Sequence, residues 1–75
     1  MASIYRSKTV KIIMEYRTEG VYAWNDYFVE YRGKILNLIP FDSQKEAEKY
    51  IYKHKLIRSK WTMIPVIMKN YPQLH

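Results

Sequence analysis

The stretch from Asp26 to Tyr52, DYFVEYRGKILNLIPFDSQKEAEKYIY, constrains the fold more than any other part of the chain. Tyr27–Arg32 alternates with the period of a strand: Tyr27, Val29 and Tyr31 on one face, Phe28, Glu30 and Arg32 on the other. Arg32-Gly33-Lys34 supplies a hairpin turn pivoting on Gly33, and Ile35–Ile39 supplies the next strand, which Pro40 stops. That strand carries apolar residues on both faces, Leu36 and Leu38 opposite Ile35 and Ile39, which predicts a central position. Ser43-Gln44-Lys45-Glu46 then matches a capping box, in which the Ser43 hydroxyl accepts the Glu46 amide and the Glu46 carboxylate reaches back. Ala47, Tyr50, Ile51 and His54 recur at helical spacing, so a helix from about Ser43 to Leu56 lays that face on a sheet, with Phe41 at its entrance.

The flanks add strands. Lys8–Tyr16 alternates Val10, Ile12, Met14 and Tyr16 against Lys11 and Glu15. Arg17–Gly20 reads as a turn, Val21–Trp24 can continue a strand, and Asn25-Asp26 interrupts it with turn chemistry. Trp61–Lys69 is a last apolar stretch, with Trp61 expected in the core, its indole N–H on a carbonyl. Pro65 cannot donate to a ladder, so this strand lies at an edge or carries a bulge. Asn70–His75 reads as a loose tail. The expected fold is α+β: a single small domain over residues 1–75, with a small antiparallel sheet of three to four strands and one helix packed on one face (β-β-β-α-β). One helix cannot cover both sides of such a sheet, so the other side must be polar or meet a partner.

A chain of 75 residues buries only about 60% of its extended surface and is marginal without reinforcement. No cysteine is present to form a disulfide, and two histidines make structural zinc an unexpected solution. Eight Tyr, two Trp and two Phe are the available reinforcement, since each aromatic buries a large apolar area. A homodimer would ease the same shortage. The N-terminal MASIYRSKTVKIIM lacks a long apolar segment, and the longest apolar run, Met63–Met68, is far short of a membrane span. A cytoplasmic location is the resulting expectation, with no membrane partner. The preference for Lys, Ile, Tyr and Asn suggests an AT-rich coding sequence, as in a phage or mobile element.

Charge is segregated along the chain. Residues 1–14 hold Arg6, Lys8 and Lys11 without an acid; residues 15–48 hold all seven acids against four bases; residues 49–75 hold Lys49, Lys53, Lys55, Arg58, Lys60 and Lys69 without an acid. Lys and Arg neutralise phosphates and release counterions, the main term in sequence-independent nucleic-acid binding. Lys45, Lys49 and Lys53 recur every four residues on one helix face, where like charges repel by about 0.2–0.5 kcal/mol per pair, a repulsion that an anion relieves. Tyr52 sits among them and can stack a base. The candidate nucleic-acid-binding residues are therefore Lys45, Lys49, Tyr52, Lys53, Lys55, Arg58 and Lys60. Bases in a helix's last turn also complement its dipole, and a solvated face or an acidic protein partner accounts for the same pattern.

No catalytic constellation is visible. A cysteine nucleophile is ruled out, His54 reads as a packing residue, and two glycines cannot build a phosphate-cradling loop. The chain is expected to be non-catalytic, without metal, cofactor or small-molecule substrate. The rival expectation is a protein-interaction module, a phage-type inhibitor of a host protein or a small subunit of a larger assembly. It would use Met63, Ile64, Val66, Ile67 and Met68 as an apolar edge.

Three short strands followed by F-x-S-x-x-E-A-x-x-Y at Phe41–Tyr50 also resemble the arm-type DNA-binding domains of phage integrases, over Tyr27–Tyr52, about a third of the chain. That resemblance implies a sheet face entering the major groove. Here the sheet offers Lys11, Arg32 and Lys34, and the main positive charge lies past the helix.

Overall fold

The computed structural model describes residues 5–70. Its elements are β1 (Tyr5–Arg6), β2 (Val10–Glu19), β3 (Tyr22–Tyr31), β4 (Lys34–Ile35), α1 (Gln44–Lys53), β5 (Thr62–Met63) and β6 (Val66–Lys69). The main sheet has the order β4-β3-β2-β6, and β1 pairs with β5 in a separate two-stranded ladder. One helix lies on one face of this sheet, so the α+β architecture holds. The sheet is mixed: β3 runs antiparallel to both β2 and β4, while β6 joins β2 parallel. Of the expected tail, residues 71–75 lie outside the described residues.

The β2–β3 hairpin is longer than the turn signals suggest. Its register runs from Val10 opposite Tyr31 to Glu19 opposite Tyr22, so Gly20-Val21 is the reversal. Gly20 takes φ +61 with open space around its Cα, the first-position glycine that a tight hairpin turn favours. Arg17–Glu19 thus belongs to β2 and Asn25-Asp26 to β3. Asp26 is held there by its neighbours: Trp24 Nε1–H donates to Asp26 Oδ1 at 3.0 Å, and Arg17 Nε lies 3.6 Å from Asp26 Oδ2. Cross-strand pairing outweighs the local turn preference.

The expected central strand Ile35–Ile39 is instead a short edge. Only Lys34–Ile35 pairs regularly with β3. Beyond Leu36, whose N–H donates to Val29 O at 2.9 Å, the Asn37 side chain replaces the backbone. Its Oδ1 accepts Val29 N–H at 2.7 Å, and its Nδ2 donates to Tyr27 O and Ile39 O, both at 3.1 Å. Phe41 then closes the edge by exchanging backbone hydrogen bonds with Tyr27. Leu38 and Ile39 bulge outward and are exposed.

Ser43 caps α1, its hydroxyl accepting Glu46 N–H at 3.2 Å. The Glu46 carboxylate approaches Lys49 instead of completing the box. Ala47 and Ile51 are fully buried against Val10, Ile12 and Val29, and Tyr27, Tyr31, Phe41, Tyr50, Leu56, Ile57, Ile64 and Val66 pack around them. His54 is the C-cap and is exposed, its ring 4.2 Å from that of Tyr50. The helix ends before the sheet-facing stripe reaches it. The last apolar stretch splits at Ile64-Pro65: β5 pairs with β1 and β6 takes the outer edge beside β2, with Ile12 N–H donating to Pro65 O at 2.9 Å. Trp61, expected inside, is 64% exposed because it precedes the small β1–β5 ladder rather than the main sheet.

Asn37→Ala leaves the buried Val29 N–H and the Tyr27 carbonyl without these partners, so it lowers stability by about 2–3 kcal/mol. Leu38→Ser, at an exposed position beside it, shifts stability by no more than about 0.5 kcal/mol. Urea unfolding of the two variants measures both.

Candidate nucleic-acid interface

Three chain reversals meet at the end of the sheet where β2 begins and β3 ends. Ser7 makes the first: its Oγ accepts Thr9 N–H at 3.3 Å and Val10 N–H at 3.1 Å, while its own N–H donates to Met63 O at 2.8 Å. Arg32-Gly33 makes the second, a two-residue turn with both residues at positive φ, +51 and +83. Its Arg32 N–H donates to Thr9 O at 2.9 Å, joining the two reversals directly.

The third is the stop of α1. His54 N–H donates to Tyr50 O, Lys55 N–H to Tyr52 O and Leu56 N–H to Ile51 O, at 3.0, 3.1 and 3.1 Å. The last two bonds form a Schellman motif, with its left-handed residue at Lys55, φ +54. Glycine usually fills that place because a Cβ is strained there. These backbone bonds already occupy the carbonyls of Tyr50, Ile51 and Tyr52.

Two adjoining grooves open here. One, of about 560 Å³, is lined by Tyr52, Lys55, Ile57, Arg58, Ser59 and Lys60. The other, of about 440 Å³, is lined by Ser7, Lys8, Thr9, Tyr31, Arg32, Lys55, Leu56, Ile57, Arg58 and Thr62. No acid lines either groove. Lys8, Arg32, Lys55, Arg58 and Lys60 make no ion pair with an acid among the described residues. The Arg32 guanidinium carbon lies 5.3 Å from the Tyr31 ring centroid, a cation–π contact that orients it.

The structure therefore gathers Tyr52, Lys55, Arg58 and Lys60 from the sequence-derived candidates and adds Lys8 and Arg32. Lys45, Lys49 and Lys53 are exposed along α1 but line neither groove, and Lys49 Nζ sits 3.9 Å from Glu46 Oε1. The apolar edge residues divide. Ile64 and Val66 pack on the core, while Met63, Ile67 and Met68 are exposed. The sheet face away from α1 centres on Ile13, which is 4% exposed and paired across to Phe28 and Ile67. On this face Lys11 lies 3.8 Å from Glu30 and Arg17 meets Glu15 and Asp26, while Lys69, in register with Glu15, takes part in none of these pairs. A sheet face entering a DNA groove, as the integrase-arm resemblance implies, would need those bases free.

Compared with protein-family models, with curated proteins and with solved structures, the chain matches none. Among the described residues no cluster of three or more His, Asp or Glu could hold a metal ion, and no helix is long and apolar enough to cross a membrane.

Left-handed backbone at a non-glycine residue costs on the order of 1–3 kcal/mol, offset in a glycine variant by the added freedom of the unfolded chain. Lys55→Gly therefore raises stability by about 1 kcal/mol, whereas Lys55→Ala, which keeps a Cβ, leaves it nearly unchanged. Thermal or urea unfolding distinguishes the two.

Proposed function

We propose that the protein is a small, non-catalytic nucleic-acid-binding or accessory protein of the cytoplasm, contacting phosphates at the end of the sheet. The carrying observation is the convergence of five cations, Lys8, Arg32, Lys55, Arg58 and Lys60, from three chain segments onto two grooves, with no ion pair to an acid and no acid in the lining among the described residues. On the opposite sheet face Lys11 and Arg17 are interleaved with Glu15, Asp26 and Glu30, whereas neither groove is lined by an acid among the described residues. The strained Lys55 and Arg32 support the same reading, since strain of this kind gathers at functional positions.

Each phosphate contact contributes about −0.7 to −0.9 to the slope of log affinity against log salt. Four or five contacts give a slope of about −3 to −4.5. Fluorescence anisotropy with a labelled mixed-sequence oligonucleotide measures it. Replacing Arg32 and Arg58 together by alanine flattens the slope by nearly two, while replacing Lys45 and Lys49 changes it less. Affinity that is insensitive to salt overturns the reading.

A second reading, a protein-interaction module, is favoured by β6. No strand covers its outer side among the described residues, and Met68 within it is 63% exposed. Such an edge pairs with another chain, although Lys69 at its end discourages this. Light scattering tests it: a dimer at high protein concentration that Met68→Lys dissolves supports the reading, and a strict monomer with no recovered partner counts against it.

A further inference from the structure

We infer that the strand bound at this site is single-stranded, with one base seated in the Tyr52–Lys60 groove and the adjacent phosphates in the groove beside Lys8 and Arg32. This rests on the nucleic-acid reading above and adds the form of the ligand. The two grooves share Lys55, Ile57 and Arg58, so they are one continuous surface with two chemistries. The first is lined by Tyr52, Ile57, Ser59 and the long side chains Lys55, Arg58 and Lys60, residues that carry an aromatic ring and aliphatic stems. Tyr52 is 46% exposed, which leaves ring surface open on a residue the core does not use. The second presents Lys8, Arg32 and Arg58 with the hydroxyls of Ser7, Thr9 and Thr62. The Ser7 oxygen already accepts two backbone N–H groups, so its proton remains available to donate.

An apolar, aromatic-edged cleft beside a cationic, hydroxyl-lined one matches the two halves of a nucleotide: the flat face of a base and the charged sugar-phosphate. A duplex keeps its base faces stacked inside and offers phosphates, sugars and base edges, which leaves the Tyr52 ring no base face to stack on. A single strand can splay a base onto an aromatic ring, and single-strand binders combine such stacking with a basic track for the backbone. The volume, about 560 Å³, falls within the range of clefts that hold small organic groups.

The experiment is an anisotropy titration with labelled single-stranded DNA, single-stranded RNA and a matched duplex of the same length, with a mononucleotide as competitor. Single strands of either sugar are expected to bind about fivefold or more tightly than duplex, one stacked base's contribution. Tyr52→Ala removes that preference, bringing single-strand affinity down to the duplex level, whereas Tyr52→Phe keeps it. Equal affinity for duplex, or a Tyr52→Ala variant that still prefers single strands, overturns this inference while the polyanion reading stands. A mononucleotide that competes as well as the oligomer overturns it in favour of a small ligand. Failure to bind any of the three nucleic acids overturns both.

Discussion

The hydrogen bond from Leu56 N–H to Ile51 O decides where the helix stops, and the basic end of the molecule follows from it. Ile51 and Ala47 anchor α1 on Val10, Ile12 and Val29. A buried isoleucine contributes about 1.5–3 kcal/mol, and Ala47 and Ile51 are the buried residues of the helix. Once Leu56 turns back onto that core, Lys55 is forced to positive φ and the following segment crosses the end of the sheet. There it meets Thr9 and Arg32, already joined by a backbone bond. Local backbone chemistry thus fixes where the cations lie.

The same geometry explains why the cations occupy unfavourable places. Arg32 and Lys55 hold left-handed positions that glycine or asparagine would fill with less strain. Asn70, the third non-glycine residue at positive φ, is of a type that tolerates it. Long cationic side chains at such turns lie close together, and neighbouring like charges repel. A small loss of stability is the expected companion of a site built from turns.

Much of the architecture was legible in the chain. Ser43 marked the start of α1, the Val10–Ile12 and Tyr27–Tyr31 alternation marked two strands facing the helix, and Pro65 marked the broken edge. The errors share one cause. Asn25-Asp26 and Arg17–Gly20 carry local turn chemistry, but the register across a ten-residue hairpin overrode it. Ile35–Ile39 looked like a central strand because apolar residues lay on both faces. Asn37 instead took over the backbone's hydrogen bonds and pushed Leu38 and Ile39 outward. Charge segregation pointed to the C-terminal third of the chain, yet only the tertiary arrangement could separate Lys55, Arg58 and Lys60, which line the grooves, from the helical stripe of Lys45, Lys49 and Lys53, which does not. Lys8 and Arg32 were out of reach of linear reasoning, because the Arg32 N–H to Thr9 O bond spans the sheet end. The one local sign was a large cation at the first position of a two-residue turn.

The central claim is that distant cations form one anion-binding surface. A titration of the isotopically labelled protein with a short single-stranded oligonucleotide, followed by amide chemical shifts, tests it most directly. The amides of Thr9, Arg32, Lys55 and Arg58 should move together along one binding curve while those of Lys45 and Lys49 stay near their starting positions. Shifts confined to the helical stripe or to Val66–Lys69, with the sheet end unmoved, would contradict the account.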